Sequence, residues 1–123
     1  RVALTAKDHV LVASRHEEDS SGRIESWRLQ RAERGQLERV GEVRVKQAAE
    51  QMVVRGDLLA TQAGQTFELY DLASPTALRR AGGGQLDGCF WPSLDHSDGD
   101  LAGGLWMPMG SYGVLLIPSG NGE

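Results

Sequence analysis

Asp95, Ser97, Asp98 and Asp100 crowd oxygen-bearing side chains into one short run, with His96 and Gly99 between them. Carboxylates at that density are the chemistry of a calcium loop, because a hard cation takes oxygen ligands. The order departs from such a loop. The alternating Asp-x-Asp/Asn-x-Asp-Gly pattern is absent, and no Glu stands at the closing position. Asp, Ser and Gly are also ordinary turn residues. Residues 95–104 therefore read first as an exposed, polar hairpin insertion, and Asp95, Asp98 and Asp100 only second as metal ligands. A separate set is aromatic: Trp91, Trp106 and Tyr112 fall close together in the chain. Burial between packed sheets is the first expectation for them. The alternative is an exposed platform beside residues 95–104, suited to a peptide or a glycan.

Other reactive residue types lack the company that chemistry needs. His9, His16 and His96 with Cys89 do not have zinc-ligand spacing. The Gly82-Gly83-Gly84 run is followed by neither a helix opening nor a Lys-Ser/Thr pair, so it does not cradle phosphate. Residues 109–113 (MGSYG) lack the glycine two places before Ser111 that a nucleophile elbow requires. No catalytic residue is assigned, no cofactor is expected, and the residue types favour a binding protein over an enzyme.

The elements that would position these residues are short strands. Residues 2–14 (VALTAKDHVLVAS) overlay residues 50–62 (EQMVVRGDLLATQ) without a gap. Residues 24–29 (IESWRL) then overlay 67–72 (FELYDL), and 37–41 (LERVG) overlay 78–82 (LRRAG). Alternation puts Ile24 and Ser26 opposite Glu25 and Trp27, and Phe67 and Leu69 opposite Glu68 and Tyr70. The runs at 37–43 and 77–81 are more charged, as suits an outer edge strand facing water. Residues 33–54 could also be drawn as an amphipathic helix. Gly41 and the β-branched Val43, Val45, Val53 and Val54 favour strands, with a short helical turn tolerated at 46–49.

A spacing of about forty residues with short strands in each unit is the period of a β-propeller blade. A third unit starts near Asp87, with a first strand at 89–94 and the insertion at 95–104. In it, 105–107 fall where 58–60 fall, and 114–117 fall where 67–70 fall. The expected fold is all-β: a single propeller segment with blades at 1–44, 47–83 and 87–118, the last about three-quarters complete. A β-sandwich or small barrel is the alternative. Propellers close their rings, and closure removes exposed sheet edges. The chain is thus expected to be a piece of a longer polypeptide, since it opens on Arg1 within a strand, or to be completed by another chain or by copies of itself.

Composition narrows the partners. The chain has 123 residues, 40% of them hydrophobic, 16 glycines and a net charge of −4. That charge leaves no basic footprint for nucleic acid. The longest apolar run, 114–117, is strand-sized, so no membrane span is expected. The lone Cys89 forms no internal disulfide and does not indicate compartment.

The run Glu68-Leu69-Tyr70-Asp71-Leu72-Ala73-Ser74-Pro75, followed by Leu78 and Ala81-Gly82, resembles bacterial β-propellers of the LVIVD-repeat type. It is also similar to the secreted β-propeller-domain family, whose Pro-containing strand is matched by Leu105-Trp106-Met107-Pro108. The second unit fits well, the first lacks the Ser-Pro, and the third fits loosely. The resemblance implies propeller architecture and an extracytoplasmic location. It does not imply an activity, because fold does not carry function. Two functions follow as expectations: a non-catalytic binding or scaffolding module, or a fragment of a propeller enzyme whose catalytic residues lie in other blades.

Overall fold

The computed structural model describes residues 2–6, 9–15, 21–29, 37–74, 76–86, 94–108 and 113–119. These form eleven strands and one short 3-10 turn, η1 (Leu94–His96), so the all-β expectation holds. The first sheet holds β1 (Val2–Ala6), β2 (His9–Arg15), β3 (Gly22–Leu29) and β4 (Leu37–Val45). The second holds β5 (Gln51–Arg55), β6 (Leu58–Ala63), β7 (Thr66–Asp71) and β8 (Arg79–Gln85). The third holds β9 (Asp98–Asp100), β10 (Gly104–Pro108) and β11 (Val114–Ile117). Each is an antiparallel meander in chain order, and among the described residues none closes on itself. The β-branched valines at 43, 45, 53 and 54 lie in β4 and β5, and residues 46–49 bend at 46–47 without forming a helical turn. Gly56 (φ 62°) and Gly64 (φ 60°) supply the left-handed backbone of the tight turns on either side of β6.

The second sheet is the centre of the molecule. Alternation sends successive side chains of a strand to opposite faces, and here both faces are covered. Met52, Leu59 and Tyr70 pack with Leu11, Ala13, Ile24 and Val45 of the first sheet. Leu58, Ala60, Phe67 and Leu69 pack with Leu105, Met107 and Ile117 of the third. This double burial explains why β6 opens on three consecutive apolar residues, Leu58 to Ala60, and is buried at every position but its last instead of at every other one.

Hydrogen-bond registers relate the sheets residue by residue. The pairs Val2↔Ala13 and Ala6↔His9 of the first sheet stand where Gln51↔Gln62 and Arg55↔Leu58 stand in the second. That is one residue on from the gapless overlay of 2–14 on 50–62. A slip of one residue exchanges the faces of a strand; Leu11 therefore corresponds to Ala60 and not to Leu59. Leu105 likewise turns toward the preceding sheet as Leu59 does, so the overlay of 105–107 on 58–60 is also one residue out. The later strands correspond as expected. Ile24 stands with Phe67, Trp27 with Tyr70, and Arg39-Val40-Gly41 with Arg80-Ala81-Gly82. Both sheets shift register at the same place, between Ser26 and Trp27 and between Leu69 and Tyr70, which leaves Val40 and Ala81 as the extra residues of matching bulges.

The segment 95–104 is not an insertion. It carries the end of η1, then β9, whose Asp98 and Asp100 pair with Trp106 and Gly104 of β10. Thus β9 takes the first-strand place expected at 89–94, of which 89–93 lie outside the described residues and Leu94 belongs to η1. Asp and Gly have low strand propensity, but Gly99 lets this backbone lie against β10: a Cβ there would stand 2.9 Å from the Leu105 Cα. The turn η1 is fixed to the second sheet, since Arg55 Nε donates to the Ser97 carbonyl at 2.8 Å and Leu94 is fully buried.

Candidate functional site

Trp106 sits mid-strand in β10 between Leu105 and Met107, which both take the inward positions. Alternation therefore sends its ring outward, where it is 40% exposed. Within this chain it is therefore not buried between sheets. Its cross-strand neighbours are Asp98 on β9 and Leu116 on β11. With Val114 and Leu116, 66% and 55% exposed, it gives the third sheet an apolar outer face. Trp91 and Tyr112 lie outside the described residues.

The acidic candidates serve their own turns. Asp98 Oδ1 accepts from the Gly99 amide at 2.8 Å, and Asp100 Oδ1 accepts from the Gly103 amide. Those are local backbone-capping roles. Asp95 is exposed in η1 beside His96. Among the described residues no group of three His, Cys, Asp or Glu side chains is placed to hold a metal ion. His9 opens β2 and is half-buried, whereas His16 and Cys89 lie outside the described residues.

A different constellation emerges between the first two sheets. A groove of about 640 Å³ opens there, with Val43, Val45 and Lys46 on one side and Glu68, Arg80 and Gly83 on the other. The Tyr70 ring is buried in the core below it. Tyr70 Oη donates to Glu68 Oε2 at 2.9 Å, and Arg80 Nε donates to the same oxygen at 3.2 Å. Glu68 and Tyr70 share a face of β7 because they are two residues apart, and the pairings Glu68↔Gly83 and Tyr70↔Arg80 bring β8 alongside them. Burial first, and then the Glu68 charge and hydrogen bond, push the Tyr70 hydroxyl well above the ordinary phenol value, with Arg80 acting in the opposite sense. The phenol therefore stays a neutral donor. Sequence reasoning passed over this set, although the shared Glu68/Glu25 and Arg80/Arg39 positions are visible in the overlay.

The tyrosine has a measurable consequence. Its proton is held more tightly folded than unfolded, so its contribution is intact below the unfolded phenol value of 10.0 and is lost as pH rises above that value. The unfolding free energy of the wild type in urea is expected to fall with rising pH above that point because of this group. Tyr70→Phe should flatten that slope; an unchanged alkaline slope in the variant would show that Tyr70 is not its source.

No protein-family model matches the chain, and no curated protein matches it.

Proposed function

We propose that the chain is a segment of a β-propeller acting as a non-catalytic binding or scaffolding module, the rest of the ring being supplied by further sequence or by another polypeptide chain. One observation carries this reading. The third sheet puts the cross-strand pair Trp106 and Leu116 outward, in the same sense as the pair Ala60 and Leu69 of the second. In the second sheet that face is covered by its neighbour, leaving Ala60 and Leu69 at 1% and 0% exposure. A face of this composition takes another sheet.

The arrangement of the sheets supports the same reading. First strands lie side by side, β1 against β5 and β5 against β9, while the groove parts the first two sheets near β4 and β8. Sheets that converge at one edge and splay at the other are the geometry of blades about an axis. The matching bulges and registers of the first two sheets fit repeated units. The resemblance of 68–75 to LVIVD-type propellers agrees with this and carries the extracytoplasmic location with it.

Sedimentation of the purified chain tests the proposal. The expected result is assembly, into a homo-oligomer or onto a partner chain, through the outer face of the third sheet. The double variant Trp106→Lys with Leu116→Lys should sediment as a monomer. A wild-type monomer at every concentration, with a cooperative melt, would favour a self-contained sandwich instead.

A further inference from the structure

The two corresponding sheets treat one arginine differently, and the difference specifies a ligand. In the first sheet Arg39 Nη1 donates to two carboxylates, Glu25 Oε2 at 3.1 Å and Glu42 Oε2 at 3.2 Å. Glu25 and Glu42 are cross-strand partners, and the equivalent pair in the second sheet is Glu68 and Gly83. Arg80 therefore keeps the counterpart of Glu25 and loses the counterpart of Glu42. Its Nε engages Glu68, and among the described residues its terminal nitrogens have no hydrogen-bond acceptor. Gly83 makes room for this posture: a Cβ at that position would stand 2.6 Å from Arg80 Nη2 and 2.6 Å from the Phe67 carbonyl oxygen. The guanidinium lies over the glycine at the groove, pinned by a carboxylate that Tyr70 also holds.

We infer that this groove is a carboxylate-binding site in which Arg80 receives from a ligand the second carboxylate that Glu42 supplies to Arg39. A guanidinium fork suits a planar carboxylate bidentately. Lys46 at the rim adds positive charge, and the Val43 and Val45 side adds apolar contact for the ligand's carbon skeleton. The volume suits an organic ligand rather than a bare ion. An acidic side chain and a C-terminal carboxylate on a peptide present the same group. The inference goes beyond the propeller reading and does not rest on it, since both sheets that form the groove lie within this chain.

Calorimetric titration with short peptides tests it on the whole chain. The probes are an acetylated, amidated glycine peptide with one central Glu, its Gln counterpart, and the Gln peptide with a free C-terminal carboxylate. Saturable binding of the first identifies the side chain as the source, binding of the third identifies the terminus, and either supports the site. Arg80→Gln should weaken that binding by about tenfold or more, the scale of a lost charge-assisted hydrogen bond. Arg79→Gln, which removes the same charge from an exposed neighbour on β8, should leave it within about twofold. Should Arg80→Gln fold poorly, the Arg80 Nε–H resonance of the wild type serves alone and should shift saturably with the carboxylate peptide. Failure of both carboxylate peptides to bind more tightly than the capped Gln peptide, unchanged binding in a folded Arg80→Gln, or an unmoved Arg80 resonance would overturn the inference.

Discussion

Leu58→Ala and Leu59→Ala, made separately, are each expected to lower the unfolding free energy by about 2–5 kcal/mol. The two residues are adjacent in β6 and both fully buried, yet they belong to different interfaces: Leu58 faces the third sheet and Leu59 the first. In a sheet with a single covered face one of two neighbours would point to water, and its truncation would cost little. Equal, large losses are thus the signature of a middle layer. Urea denaturation reads them as a fall in midpoint at constant m-value. Leu116→Ala on the outer face, 55% exposed, is the internal comparison and should cost the isolated chain no more than about 0.5 kcal/mol. A loss that small for either Leu58 or Leu59 would place only one face of the second sheet in a core.

Gly104→Ala is expected to be as damaging, for a backbone reason. Gly104 opens β10 with φ 96°, a conformation side chains rarely adopt, and it is buried. A Cβ at this position would collide with the Ile117 carbonyl oxygen and stand 2.8 Å from the Ser119 nitrogen and 3.0 Å from the Pro118 Cα. All three are backbone atoms of the segment paired to β10, so relief requires β11 to move. Left-handed strain of about 1–2 kcal/mol adds to an overpacking cost of about 1–3 kcal/mol. Gly56→Ala separates the two effects, because Gly56 has φ 62° with nothing within 4 Å of the added carbon. It should lose only the strain. Thermal melts of both variants make the comparison, and equal shifts in melting temperature would mean that β10 and β11 tolerate being pushed apart.

Much of the architecture was legible in local features. The β-branched valines of 43–54, the two glycine turns around β6 and the alternation in 24–29 and 67–72 all led to strands where strands are found. Such features depend on a few neighbouring residues, whose φ/ψ preferences and period-2 exposure act without knowledge of the rest of the chain. The correspondence of Arg39-Val40-Gly41 with Arg80-Ala81-Gly82 was legible for the same reason, since both segments carry the residues that a matching bulge needs.

Which face each side chain takes was decided only by the tertiary structure. Leu11 resembles Leu59 in type and surroundings, yet the pairing Val2↔Ala13 against Gln51↔Gln62 sets it with Ala60, because one residue of register turns a strand over. That register is held by hydrogen bonds to another strand, and no local preference encodes it. The same holds for β9: an Asp-Gly-Asp segment reads as a turn until β10 pairs with it and Gly99 lets the backbones close. Trp106 is turned outward by the inward packing of Leu105 and Met107. Arg80, Glu68 and Gly83 meet at the groove only because β7 and β8 are aligned in one register. By itself the sequence determined that this chain is built of short antiparallel strands; the pairing between them determined what each strand buries and what it presents.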